Sequence, residues 1–199
     1  MQILKPLDVV VGLLIGINEK HLREAAKDGE LKSLRTNSVG DLATSLYKGK
    51  GDISRSITRL LSLSLIGERR PKEGDALAVN RKFYSLQRTA MSDFLLYGIR
   101  HVFAPERLGV GRGEPTGWSC PHITSEMNPP ELALVWGMPG GSVHGELLEP
   151  LFTKAAQVAG DNSELYTLLA LIDVIRTGKP RELVIAKELL AHKIQELYS

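Results

Sequence analysis

Residues Leu42–Ile66 read LATSLYKGKGDISRSITRLLSLSLI, and this stretch decides the fold. Leu42, Ala43 and Leu46 share one face of a short helix. Tyr47–Gly51 carries two glycines and makes a tight connection. Ile53, Ile57, Leu60 and Leu61 then recur at i, i+4, i+7 and i+8, the inward stripe of a second helix. Two short helices around a glycine-bearing turn predict a helix-turn-helix. Ala43 fits that geometry, because two helices that cross closely leave no room for a larger side chain.

The opposite face follows from the same period. With Ile53, Ile57 and Leu60 turned inward, Arg55, Thr58 and Arg59 face outward and Ser54 lies at the edge. Between Lys48 and Lys72 there are seven basic residues, opposed only by Asp52 and Glu68. Glu68–Asp75, ERRPKEGD, has the chemistry of a β-turn between Leu65–Gly67 and Ala76–Val79, with Gly74 and Asp75 at its tip. An arginine fork can read guanine O6 and N7 in a major groove. Serine and threonine more often hold the phosphate backbone. The candidate DNA-binding residues are therefore Lys48, Lys50, Ser54, Arg55, Thr58 and Arg59, with Arg69, Arg70 and Lys72 on the wing.

The stretch resembles the winged-helix transcription regulators of bacteria, the broad group that includes the MarR-like repressors. Leu42, Ala43, Leu46, Ile53, Ile57, Leu60, Leu65 and Ile66 occupy the places of that pattern. Three positions depart from it: Lys48 where an aliphatic residue is usual, Gly49 in place of a serine cap, and Ser64 in place of a glycine. The resemblance covers residues 39–79, with Lys5–Ile17 as the first helix. It implies a homodimer that sets two recognition helices about 34 Å apart on DNA. It also implies regulation of transcription, by default repression through occlusion.

Outward from this core the chain changes character. Asn80–Phe103 reads as a long helix with the stripe Phe83, Leu86, Ala90, Phe94, Tyr97, Ile99 and Val102, a candidate dimer helix. Residues 104–146 are rich in glycine and proline and read as ordered coil, with one short strand at Ala133–Trp136. Residues 147–199 return to helical periodicity. Asp161 or Asn162 can cap one helix, Gly178 and Pro180 separate it from a second, and the two predict a helical hairpin. The expected fold is thus mainly α: a winged helix in residues 1–103, then coil and hairpin in 104–199 as a dimerisation or partner lobe.

Charge and composition narrow the function. The 199 residues carry a net charge of +2, but residues 1–103 hold 17 basic and 11 acidic side chains, against 8 and 12 in the remainder. A basic first half and an acidic second half suit different partners. Hence the alternative reading, a non-enzymatic interaction protein such as an antitoxin or defence-module regulator. One cysteine fits a reducing cytoplasm. The apolar run Leu7–Ile17 is too short to span a membrane and lacks the flanks of a leader.

Catalytic and cofactor patterns are weak. Cys120, His122, His101 and His144 lack the paired spacing of a zinc site. Leu108–Gly113, LGVGRG, is followed by Glu114–Pro115 rather than a helix, which argues against a phosphate loop. Neither an enzyme nor a cofactor or metal protein is expected. Arg112, Trp118, His122 and Trp136 could line a ligand pocket, or the tryptophans could simply pin the coil to a core.

Overall fold

A computed structural model describes residues 3–28, 37–69, 83–127 and 132–198, and the chain is mainly helical with a smaller share of strand. It divides into two compact units, Met1–Met91 with Gln195–Ser199, and Ser92–Ile194. The division falls upstream of the composition break at residue 103.

The first unit is built on α1 (Pro6–Asp28), α2 (Val39–Ser45) and α3 (Lys50–Ser62). Proline suits the first helical position of α1, where its missing N–H is not needed. Val9, Val10, Val11, Leu13, Leu14, Ile15 and Ile17 are at most 1% exposed, so the apolar run forms the spine of the unit. Helix α1 packs on α3 and α2. Leu42, Ala43, Leu46, Ile53, Ile57 and Leu60 are buried as the periodicity predicts, while Leu61 is half-buried and Ser56 takes a buried place. Ser38 caps α2, accepting the Asp41 N–H at 3.1 Å. The buried Asn37 amide donates to the Ile15 and Tyr84 carbonyls at 3.1 and 3.3 Å, tying the start of α2 to its neighbours.

Both short helices end alike. After α2, Tyr47 has φ 52°, and the Tyr47 and Lys48 N–H groups donate back to Thr44 and Ala43. After α3, Ser64 has φ 55°, and Ser64 and Leu65 donate to Leu61 and Leu60. This paired bonding is the Schellman ending, whose left-handed position usually falls to glycine. Here tyrosine and serine occupy it. Gly49 instead takes extended backbone as the N-cap of α3, with no side-chain bond.

Strands β1 (Ile66–Arg69) and β2 (Phe83–Leu86) form an antiparallel ladder, with Ile66 opposite Leu86 and Glu68 opposite Tyr84. The expected strand Ala76–Val79 lies outside the described residues. The helix predicted from Asn80 begins only at Arg88, because Phe83–Leu86 completes the hydrogen bonding of β1. Leu197 and Tyr198 close this unit. A Cβ at Gly16 would come within 2.8 Å of Leu86 and 3.1 Å of Leu197, so glycine there admits both. The Tyr198 hydroxyl donates to the Leu86 carbonyl, and its ring lies 5.2 Å from each of the Arg23 and Arg88 guanidinium carbons. Burial pushes the Tyr198 hydroxyl pKa up.

Helix α4 (Arg88–Asp93), a π-helical turn (Phe94–Gly98) and α5 (Ile99–Val102) follow without a break. The π turn widens the period, so the buried positions are Met91, Leu95 and Ile99. Tyr97 and Val102 of the predicted stripe are 66% and 55% exposed.

The second unit corrects the expectation of coil. Strands β3 (Arg107–Pro115), β4 (Ala133–Gly137) and β5 (Val143–Leu148) form a small closed sheet. Strand β3 is antiparallel to both β4 and β5, which are parallel to each other. The glycines that read as loop signals permit this closure. A Cβ at Gly113 would overlap the Trp136 carbonyl, and one at Gly145 the Ala133 carbonyl. The strand expected at Ala133–Trp136 is present.

Helices α6 (Ala155–Asp161), α7 (Ser163–Thr177) and α8 (Pro180–Glu196) complete the chain. Asn162 caps α7, accepting the Leu165 N–H at 2.8 Å. The predicted hairpin differs: the nearest backbone neighbours of α7 are α5, α6 and the Gly117–Ser119 turn rather than α8. The reason is that α7 is buried on all sides from Leu165 to Arg176, beyond what one partner helix covers. Its fully buried acid, Asp173, accepts from Thr116 at 2.8 Å, Trp136 at 2.6 Å and Arg176 at 2.6 Å. Burial pushes the Asp173 carboxyl up, against the pull of Arg176 and these donors. Arg176 also donates to the Phe103 and Glu149 carbonyls at 2.7 and 3.3 Å.

Two stability measurements follow. Ser64→Gly removes left-handed strain and should raise the far-UV melting midpoint, by about 1 kcal/mol in stability. Asp173→Ala strands a buried guanidinium and should cost about 3–5 kcal/mol. Both tryptophans, Trp118 and Trp136, lie in the second unit, so denaturant titration followed by their fluorescence reads that loss directly.

Candidate nucleic-acid interface

Helix α3 carries the candidate site. Its inward side chains, Ile53, Ser56, Ile57 and Leu60, are buried against the rest of the unit. That fixes Ser54, Arg55 and Thr58 as exposed, with Lys50 exposed at the helix start and Lys48 half-buried before it. Ser54, Arg55, Thr58 and Arg59 line a shallow concavity of about 290 Å³. The structure therefore brings four of the predicted residues to one surface.

Arg59 differs from expectation. Its Nε and Nη2 donate to the two oxygens of Asp8 at 2.7 and 2.6 Å, and Nη2 lies 3.3 Å from the Ser56 hydroxyl. Asp8 is fully buried and Arg59 only 14% exposed. Asp8 also accepts the Lys5 N–H at 2.7 Å. The hydrogen bonding to Asp8 raises the Arg59 pKa, against the opposing effect of burial. The period places Arg59 at the boundary of the outward face, and its long side chain turns back to the carboxylate. It is a structural arginine that borders the concavity, not a free reader.

Arg55 behaves differently. It is 67% exposed, and its Nη2 donates to Asp52 at 2.6 Å. Thr58 donates its hydroxyl to the Ser54 carbonyl at 3.0 Å, so that hydroxyl is engaged within the helix. Arg69 has its backbone in β1, while its side chain, Arg70 and Lys72 lie outside the described residues.

The other groups singled out in the sequence are scattered. Trp118 and Trp136 are buried, while Arg112 and His122 are exposed, so the four do not line one pocket. His122 sits edge-on to Tyr166 at 5.3 Å, and Tyr166 is tilted against Trp136 at 5.8 Å. Cys120 is fully buried, and burial pushes its thiol up. Leu108–Gly113 is part of β3 rather than a loop. Among the described residues, no three His, Cys, Asp or Glu side chains are grouped to hold a metal ion. No described helix is long and apolar enough to cross a membrane. No family model, curated protein or solved structure matches the chain.

Sequence reasoning missed Asp8 as the partner of Arg59. A signal was available: a lone acid inside the run Leu7–Ile17 must find a cation if the run is buried. Arg59→Ala should destabilise the first unit by about 3–5 kcal/mol. The double variant Asp8→Ala/Arg59→Ala should lose less than the two single losses combined, because neither charge is then left alone. Far-UV melting of the three variants measures this.

Proposed function

We propose that α2, α3 and the β1–β2 ladder belong to a winged helix-turn-helix that binds duplex DNA, and that the protein is a sequence-specific regulator of transcription in the cytoplasm, acting by occlusion as a repressor. The observation that carries the reading is the order α2, tight turn, α3, antiparallel ladder, with Lys50, Ser54, Arg55 and Thr58 on the outward side of α3. The exposed face is polar and carries basic side chains, as a helix that enters a major groove requires. The basic excess of the first half supports the same reading, since phosphate attraction supplies much of such affinity. A homodimer belongs to the proposal, and exposed Tyr97 and Val102 supply apolar surface for it.

The test is fluorescence anisotropy with labelled duplex from the region upstream of the coding sequence and with a scrambled duplex, each at about 50 and 200 mM salt. Tighter binding to the upstream duplex that survives the higher salt is the expected result. Lys50→Ala should lower the salt slope by about one. No binding at the lower salt sinks the reading and moves the first unit to a protein-partner role, in which the acidic second half would participate.

A further inference from the structure

We infer that Arg55 reads a guanine in the duplex and that Asp52 orients it for that task; the inference rests on the DNA-binding reading above and names its specificity-determining pair. Arg55 and Asp52 stand three residues apart on α3, on one face. Their contact is short, 2.6 Å, although both side chains are well exposed, 67% and 48%. An exposed pair of this kind adds little to stability. What it biases is geometry: among the many rotamers of a long side chain, the contact favours the one beside Asp52.

The guanidinium has five N–H donors, of which Asp52 takes one. Among the described residues no other acceptor engages Arg55. The group lies back over the first turn of α3, where a Cβ at Gly51 would sit 3.5 Å from Nη1. With one of five donors engaged and the side chain 67% exposed, Arg55 retains enough donors for two parallel bonds to guanine O6 and N7.

No neighbour on this face offers the same chemistry. Arg59 is committed to Asp8. Lys50 is a point charge without a fork. Thr58 has its hydroxyl in the helix and can offer its methyl, a match for the methyl of thymine. Ser54 is short and sits beside the fork rather than replacing it.

The experiment is selection from a randomised duplex pool by the full chain and by Arg55→Ala, Arg55→Lys and Asp52→Asn, with far-UV melting of each as a control for folding. The wild type should enrich a guanine at a fixed position. Replacing that base with 7-deazaguanine, which lacks the N7 acceptor, should weaken binding about five- to hundred-fold. Both Arg55 variants should still bind the pool, lose the preference at that position, and ignore the 7-deaza change. Asp52→Asn should melt as the wild type and show a smaller guanine preference. Selection of the same guanine by Arg55→Ala, with the same 7-deaza penalty, overturns the reading role while leaving DNA binding intact. An unchanged preference in Asp52→Asn overturns the orienting role. Failure of the wild type to bind the pool at low salt overturns the DNA-binding reading and this inference with it.

Discussion

The bidentate pair between Asp8 and Arg59 fixes how α3 sits on α1. A carboxylate with no solvent exposure must be held by a cation and hydrogen-bond donors. Asp8 has both, Arg59 from α3 and the Lys5 N–H from its own helix start. Because the contact is bidentate and joins two helices, it sets a rotation as well as a distance. With Arg59 turned to α1, Ile53, Ile57 and Leu60 can only face inward, and Ser54, Arg55 and Thr58 can only face out. The outward face of α3 is therefore specified from beneath.

The second unit repeats this economy with different parts. Each unit contains one helix buried nearly all round, α1 in the first and α7 in the second. Each such helix holds an acid met by arginine. In the first unit the arginine comes from another helix and aligns two elements. In the second, Arg176 comes from the same helix, and Asp173 spends its remaining acceptors on Thr116 and Trp136 from the sheet region. The first arrangement orients a surface; the second anchors a small sheet to a helix.

Much of the first unit was legible in the sequence because its helices obey a simple period. Leu42, Ala43, Leu46, Ile53, Ile57 and Leu60 are buried where that period puts them, and Ser54, Arg55 and Thr58 emerge on the other side. Arg59 was misread because a period locates Cα, not the end of a long side chain. The sheet of the second unit was misread because Gly113 and Gly145 carry no sign of why they are glycine. A glycine in a turn and a glycine where two backbones touch are the same letter. The helix after β2 was misjudged for a related reason: a π turn changes the period inside the element, so Met91 and Leu95 are buried with the expected Ile99, while Tyr97 and Val102 are exposed. Tyr198 carried no local signal at all, since its partners Arg23, Leu86 and Arg88 are remote in sequence.

That seat for Leu197 and Tyr198 bears on how the chain is made. The groove beside Gly16 and Leu86 is formed from early residues but filled by late ones. On a ribosome adding roughly 5–20 residues per second, the first unit waits several seconds for its last side chains. During that wait the whole second unit is synthesised. Completion of the unit that carries α3 therefore waits on residues 195–198, and a product terminated before them presents the outward face of α3 on an unfinished core.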